Sequence, residues 1–225
     1  FTLSAVQNRG LEVVLVNSGA MGVGLSQMHM TKRPEAMAQQ QAIAAIGQNE
    51  LMSIFNQRFA SYSQQIGQIL LTHDVMDYPL SKKNVLNTFE QLLLMGAIPV
   101  VNENDSVSVD EMDHLTTFGD NDQLSALVAT AIEAALLIVL SDIDGLFDAD
   151  PHTHPDAQTV PFVSEITEEV VNSAGGSGTR FGTGGMITKL KAAKRVIEAG
   201  HQMVLANGEE PKVIFDILDG KSVGT

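Results

Sequence analysis

Two short clusters of Asn, Asp and Glu residues stand out in the 225-residue sequence, at Asn102-Glu-Asn-Asp-Ser106 and at Gly119-Asp-Asn-Asp122. Such side chains can grip the ammonium and carboxylate groups of a small zwitterion. One aspartate could also orient a catalytic lysine through an ion pair that keeps the lysine charged. For the second cluster a structural alternative stays open, because Asn121 or Asp122 could simply cap the helix predicted to follow.

Two glycine-rich stretches could bring the backbone close to an anion. The stretch Asn17–Gly24 follows the first predicted strand, where a plain tight turn is an equally good interpretation. The stretch Gly182-Thr-Gly-Gly-Met-Ile-Thr-Lys189 leads into a basic helix, which favours phosphate binding. Lys189 could then stabilise charge on a transferred phosphoryl group. This stretch is not a Walker A loop, because Gly-Lys-Ser/Thr at the required spacing is absent.

Two further segments carry groups that could act in a site. Ser141-Asp-Ile-Asp-Gly-Leu146 closes the fourth predicted strand, where a nucleotide or a metal-phosphate could sit. A β-turn at Asp144-Gly145 is the plainer interpretation. His152-Thr-His154 could be a metal pair, but no third ligand is evident, so we predict an exposed loop there and no metal-ligating residues in the protein.

Composition excludes several classes of protein. The chain has no cysteine, which rules out disulfides and thiolate metal sites. Its 13 Lys and Arg against 27 Asp and Glu, a formal net charge of −14, argue against nucleic-acid or anionic-membrane partners. We therefore predict a soluble, cytoplasmic globular protein. The interval between Lys83 and Arg180 lacks Lys and Arg but holds 17 of the 27 acids, and could be a solvated surface or a cation-binding region.

Apolar runs of strand length alternate with helical patterns, which predicts an α/β fold with a mainly parallel sheet covered on both faces, in one domain over residues 1–225. In such sheets ligands bind beyond the carboxyl ends of the strands. Gly96 and Gly200 stand where helix C-caps are expected. The predicted strands are Leu11–Val16, Gln65–Leu71, Ala97–Val101, Leu136–Leu140 and Gln202–Ala206. The predicted helices are Phe1–Arg9, Pro34–Tyr62, Lys82–Met95, Asn121–Ala135 and Met186–Ala199.

Five motifs occur together in the order and spacing of a known family. They are Val16-Asn-Ser-Gly-Ala20, Asn102-Glu-Asn-Asp105, Phe118-Gly-Asp-Asn-Asp122, Leu140-Ser-Asp-Ile-Asp-Gly-Leu146, and Gly182-Thr-Gly-Gly-Met186 with Lys189. In these motifs the sequence resembles the bacterial glutamate 5-kinases, which have the amino-acid kinase fold. The resemblance implies a three-layer αβα sandwich with a mainly parallel central sheet. It also implies ATP-dependent phosphorylation of the γ-carboxylate of L-glutamate, the first step of proline biosynthesis, with Mg²⁺, feedback inhibition by proline and a homo-oligomeric (dimeric or tetrameric) state.

The same resemblance implies roles for individual residues. Ser18, Asp105 and Asn121 would contact glutamate. Asp122 would organise the catalytic lysines, and Lys189 would stabilise the transferring phosphoryl group. The nucleotide would be held by Ser141, Asp142, Thr183, Gly184, Gly185, Met186, Ile187, Thr188 and Lys189.

The sequence also departs from the family pattern. The family's Lys-x-Gly-Ser/Thr loop, with its catalytic lysine, belongs to a first strand expected upstream of Phe1, so the chain is expected to be truncated there. The RNA-binding-like domain that some members carry at the carboxyl end is expected to be absent. Thr117 stands where a lysine is common, and Ala135 where an aspartate is common. Two alternatives stay open: another amino-acid kinase, of the acetylglutamate or aspartate type, or an inactive module that binds nucleotide or proline.

Overall fold

The computed structural model describes residues 1–107, 121–149, 154–167, 170 and 183–225. Its helices are α1 (Thr2–Asn8), α2 (Ala20–Gln27), α3 (Met37–Ala60), α4 (Pro79–Leu94), α5 (Asn121–Ala131), α6 (Thr183–Glu198) and α7 (Val213–Leu218), with a 3₁₀ turn at His73–Met76. Its strands are β1 (Leu15–Val16), β2 (Ile66–Leu71), β3 (Ile98–Glu103), β4 (Leu136–Ser141) and β5 (Gln202–Asn207). The chain divides into two compact units, essentially Leu3–Leu124 and Ser125–Thr225.

The first unit contains a parallel sheet with the strand order β1-β3-β2. Its central strand β3 is the apolar run that the sequence predicts, and Ile98 and Val101 in it are fully buried. Gly96 lies just before it at φ +71°, which confirms the predicted helix C-cap. Gly200, at φ +83°, likewise confirms the predicted helix C-cap between α6 and β5.

Pro99 explains why β1 is shorter than the predicted strand Leu11–Val16. The N–H groups of Ile98 and Asn104 donate to carbonyl oxygens on the β2 side, so the nitrogen of Pro99 faces β1. Proline has no N–H to donate, and the ladder with β1 begins only at Leu15, opposite Val100.

Two glycines bring α2 and α3 into close contact within the first unit. A Cβ atom at Gly24 would overlap the carbonyl oxygen of Ile43, and a Cβ atom at Gly47 would overlap that of Ala20. Both glycines are therefore required by the approach of the two backbones. The sequence does not predict α2, because its glycines have low helix propensity; packing against α3 compensates for this.

The second unit contains the parallel pair β4-β5, with Leu136 opposite Gln202 and Ser141 opposite Asn207. Helices α5 and α6 pack at this sheet through a small apolar cluster. The cluster consists of Ala126, Ala192 and Val196, with Leu137 and Met203 against it. Thr225 extends the sheet, because its N–H and C=O groups both bond to Leu205 at 3.0 Å (N···O).

The α/β class and the parallel pairing are thus confirmed, and all five predicted strands are present. Helix α7 is an addition that the sequence does not predict. Helix α6 begins at Thr183, three residues before its predicted start at Met186. In the parts of the chain that the structure describes, no helix combines the length and apolar character needed to cross a membrane.

Candidate functional site

In the first unit, the candidate site lies where β1 and β3 end side by side. The N–H group of Asn17 donates to the carbonyl oxygen of Val101 at 3.0 Å, so Asn17 and Asn102 follow directly after the last residue pair of β1 and β3. Ser18 follows and is exposed. Gly19 then turns the chain at φ +105° into the first residue of α2. This positive φ explains why a glycine stands between the strand and the helix.

Asn121, the first residue of α5, reaches this turn. Its Nδ2 atom donates to the carbonyl oxygen of Asn17 at 2.9 Å, across 104 residues of sequence. Asp122 is only 8% exposed and interacts with other groups of the protein. The structure therefore brings the beginning of α5 to the same edge as Ser18.

The Asn102–Ser106 segment is held by hydrogen bonds along its length. Asn102 is 3% exposed, and its Nδ2 donates to Oε1 of Gln48 on α3 at 2.8 Å. Its Oδ1 accepts the N–H of Glu103 at 2.9 Å. The N–H of Asn104 donates to the carbonyl oxygen of Leu71 at 2.8 Å, and Oδ1 of Asn104 accepts the hydroxyl of Ser106 at 2.6 Å. The segment that carries Asp105 is thus tied to both β2 and α3.

Asp105 is half-buried, and two opposing influences act on its carboxyl group. Burial raises the pKa of Asp105 above its ordinary value, and the nearby Arg33 guanidinium partly lowers that pKa again. The guanidinium is itself held by Oε1 of Gln40, which accepts from Nε at 2.9 Å and from Nη2 at 2.5 Å. The amide nitrogen of Gln40 donates in turn to the carbonyl oxygen of Pro34 at 2.8 Å.

In the second unit, polar groups gather at the carboxyl ends of β4 and β5. The hydroxyl of Ser141 donates to Oδ1 of Asp142 at 3.0 Å, and the Nδ2 of Asn207 donates to Oδ1 of Asp144 at 2.8 Å. The N–H of Gly208 donates to the carbonyl oxygen of Ser141 at 2.7 Å. Ser141 and Asp142 are therefore held beside the end of the neighbouring strand.

Helix α6 returns along this sheet and leads into β5, so its N-terminus lies toward the carboxyl ends of the strands. The stretch Thr183–Lys189 forms the first two turns of α6 rather than a loop before the helix. The first turn of any helix leaves backbone N–H groups without intrahelical partners. Lys189 is partly buried, whereas Lys191, Lys194 and Arg195 are exposed. A helix that combines such N–H groups with this charge suits an anion.

The residues predicted to bind glutamate, which are Ser18, Asp105 and Asn121, therefore belong to the first unit, together with Asp122. The predicted nucleotide residues Ser141, Asp142 and Thr183–Lys189 belong to the second. Several predicted positions lie outside the described residues, namely Thr117, Phe118, Gly119, Asp120, His152 and Gly182. His154 is exposed, and among the described residues no group of three or more His, Asp or Glu side chains could hold a metal.

Sequence reasoning missed Gln48, Arg33 and the role of Asn17. For Gln48 a signal exists, because it is a polar residue on a face of α3 whose other buried members include Ile43 and Leu51. For Arg33 no spacing or motif connects it with Asp105. Its influence depends on the tertiary structure.

The fold is shared with solved kinases. The chain matches an isopentenyl phosphate kinase of T. acidophilum (TM-score 0.63, 14% identity, 100% of this chain and 86% of that chain). It also matches a carbamate kinase from Giardia lamblia (TM-score 0.62, 12% identity, 100% and 88%). A family model described as "Amino acid kinase family" covers residues 2–207. The chain belongs to the amino acid kinase family.

Curated relatives resemble the chain over its whole length. A glutamate 5-kinase of Ligilactobacillus salivarius is 60% identical over 225 residues, which are 100% of this chain and 84% of that protein. The glutamate 5-kinase of Lactiplantibacillus plantarum is also 60% identical over 100% of this chain and 85% of its own length. That of Enterococcus faecalis is 56% identical, over 100% and 83%.

Proposed function

We propose that this chain catalyses the ATP-dependent phosphorylation of the γ-carboxylate of L-glutamate, giving L-glutamyl 5-phosphate, the first step of proline biosynthesis. One observation carries the proposal: relatives that are 60% identical over all 225 residues are glutamate 5-kinases. The alignment with these relatives extends through the segments that form the two candidate sites. The site geometry agrees with this chemistry.

The first unit would bind glutamate. The carboxylate of Asp105 supplies the negative charge that an ammonium group needs, and the exposed hydroxyl of Ser18 can donate to a carboxylate oxygen. Asn121 donates one of its two Nδ2 hydrogens to the Asn17 carbonyl oxygen, and its Oδ1 can act as an acceptor for the substrate. The three groups together suit a small zwitterion.

The second unit would bind the nucleotide. Backbone N–H groups in the first turn of α6 would donate to phosphate oxygens, while Ser141 and Asp142 lie at the end of β4. Lys189 would offset the negative charge that develops on the transferring phosphoryl group. Asp122, which belongs to the first unit, would hold catalytic lysines in place.

The reaction itself asks for no covalent bond to the protein. A γ-carboxylate oxygen of glutamate attacks the γ-phosphorus in line, and the bond from that phosphorus to the β-phosphate oxygen breaks. The products are an acyl phosphate and ADP, so the phosphoryl group and its charge are both accounted for. The protein lowers the barrier by positioning the two substrates and by electrostatic stabilisation.

Mg²⁺ would enter as part of the Mg·ATP substrate. Within the described ranges the Asp, Glu and His side chains form no cluster that could hold the ion by themselves. The ion typically keeps several waters and binds the substrate phosphates. We therefore assign it no ligand among the residues that the structure describes. Inhibition by proline, a homo-oligomeric state and a cytoplasmic location belong to the same proposal.

An assay of the purified full-length protein tests the function. With L-glutamate, Mg·ATP and hydroxylamine we expect γ-glutamyl hydroxamate and ADP in equal amounts. N-acetylglutamate and aspartate at the same concentration should give at most a small fraction of that rate. The absence of hydroxamate with glutamate would refute the proposal. A faster rate with N-acetylglutamate or aspartate would show that this compound, and not glutamate, is the substrate.

A pair of variants on α6 tests the role of Lys189. The Lys189→Met variant should lower kcat by about 100-fold or more, because a positioned charge that acts in the transition state is worth that much. The Lys191→Met variant removes the same charge from an exposed position of the same helix and should keep kcat within about twofold of the wild-type protein. Equal losses in both variants would contradict the assignment.

A further inference from the structure

Gln48 is a polar residue in an apolar setting. It lies in the middle of α3, where Ile43, Ala44 and Leu51 are buried on the same side of the helix. Gln48 itself is only 9% exposed. A buried amide is costly unless its polar atoms are hydrogen-bonded, so a glutamine at this position calls for a reason.

Its hydrogen-bond partner is Asn102, at the end of the central strand. The Nδ2 of Asn102 donates to Oε1 of Gln48 at 2.8 Å, and both side chains are buried. At the other end of the Asn102 amide, Oδ1 accepts the N–H of Glu103 at 2.9 Å. The amide is thus fixed at both ends, and its orientation follows from Gln48.

Asn102 is the last residue but one of β3, and the end of this strand leads into the segment that carries Asp105. Asn104 and Asp105 follow it closely, and Asn17 leaves β1 beside it. Within the described residues, the Asn17 side-chain amide is buried without a hydrogen-bond partner, as is Nε2 of Gln48. A single hydrogen bond thus joins Gln48 to Asn102, at the edge of the sheet where β1 and β3 end.

We propose that Gln48 is a positioning residue of the glutamate site, because its Oε1 fixes Asn102 and thereby the Asn102–Asp105 segment. The inference rests on the proposed function. Gln48 touches neither substrate in this proposal. It acts through Asn102, so its loss should weaken glutamate binding and leave ATP binding unchanged.

Two substitutions of Gln48 separate the acceptor from the volume. Gln48→Met keeps the length of the side chain and removes both polar atoms, which leaves Nδ2 of Asn102 buried without its acceptor. We expect KM for glutamate to rise about tenfold, with KM for ATP unchanged and kcat within about threefold. Gln48→Glu retains an oxygen acceptor for Asn102, so in this variant KM for glutamate should stay within about threefold of the wild-type value.

Ile43→Val serves as the matched control, because it trims a buried side chain on the same face of α3 and leaves the Gln48–Asn102 bond intact. Hydrogen exchange of the Glu103 and Asn104 amides, measured on all variants, gives a readout that is independent of activity. We expect faster exchange at these two amides in Gln48→Met than in Ile43→Val.

The outcomes are distinct. A wild-type protein that turns over no glutamate would overturn the proposed function, while hydrogen exchange would still decide whether Gln48 holds the segment. An active wild-type protein with an unchanged KM in Gln48→Met would overturn the positioning role. An equal rise in KM in Ile43→Val would also overturn it, by assigning the effect to the stability of α3. Failure of Gln48→Met to fold would leave the decision to Gln48→Glu, in which a tenfold rise in KM would refute the role of the acceptor.

Discussion

The close contact between α2 and α3 makes a sharp prediction about Gly24. A Cβ atom at this position would overlap the carbonyl oxygen of Ile43 and would lie 2.8 Å from Cγ2 and 2.9 Å from the carbonyl carbon of the same residue. Two of these three atoms belong to the backbone and cannot rotate away. Alanine gains about 1 kcal/mol in helix propensity, whereas overpacking costs about 1–3 kcal/mol and is expected at the upper end here.

We therefore expect Gly24→Ala to lower the free energy of unfolding by about 2 kcal/mol, which corresponds to a fall in Tm of about 4–8 °C. Gly22 provides a matched control, because it lies in the same helix and a Cβ atom added there would have no neighbouring atom within 4 Å. Gly22→Ala gains helix propensity without a clash and should raise Tm by about 2–4 °C.

Thermal unfolding followed by circular dichroism would measure both variants. Because α2 begins directly after the Ser18 turn, Gly24→Ala should also raise KM for glutamate, and Gly22→Ala should not. A Gly24→Ala protein as stable as the wild type would refute the packing argument. So would an equal loss of stability in Gly22→Ala, since that glycine has no neighbour to meet.

Three further predictions concern one half-buried charge and two sites of hydrogen bonding. Burial raises the pKa of Asp105, so the folded state favours the protonated carboxyl group. The protonated group therefore contributes stability below the ordinary aspartate pKa of 3.8, and this contribution is lost as the pH rises through the folded-state pKa. Asp105→Asn should therefore raise Tm at pH 7, by an amount that fades as the pH falls toward 3.8; a difference independent of pH would contradict this. Asn121→Ala loses the bond to the Asn17 carbonyl and should raise KM for glutamate by about three- to tenfold in steady-state assays, whereas a parallel rise in KM for ATP would argue against a local effect. Thr225→Val removes a hydroxyl that bridges the N–H of Leu146 and the carbonyl oxygen of Val160, and should cost about 1–3 kcal/mol in urea unfolding. Thr88→Val removes an exposed hydroxyl bond on α4 and should cost less than about 0.5 kcal/mol; equal costs would show that burial does not matter here.

Much of the fold could be predicted because its strands are short apolar runs with helical periodicity between them. The predicted ends of strands and helices were less accurate where a tertiary contact determines them. Strand β1 is shortened by Pro99, which lies in a different strand far along the sequence. Helix α2 forms in a glycine-rich segment because those glycines fit against α3, and no local propensity indicates that contact.

The candidate site was predictable to the extent that it is built from motifs. Ser18, Asp105 and Asn121 stand out by residue type, and the structure assigns them to one unit. Gln48 could not be paired with Asn102 from the sequence, because the two residues are 54 positions apart and neither belongs to a shared spacing pattern. Arg33 was missed for the same reason. Such partners become visible only when the helices pack on the sheet.

The order of strands in the first sheet has a consequence for synthesis on the ribosome. The central strand β3 is the last of the three to be made, and both β1 and β2 pair with it rather than with each other. A nascent chain that ends before β3 therefore exposes two strands with no partner in this sheet, and their pairing must wait for contacts that are distant in sequence. The sheet edge that carries Ser18 can bind Asn121 only after the beginning of α5 has also left the exit tunnel. Until then, the unpaired N–H and C=O groups of β1 and β2 are open to pairing with other chains.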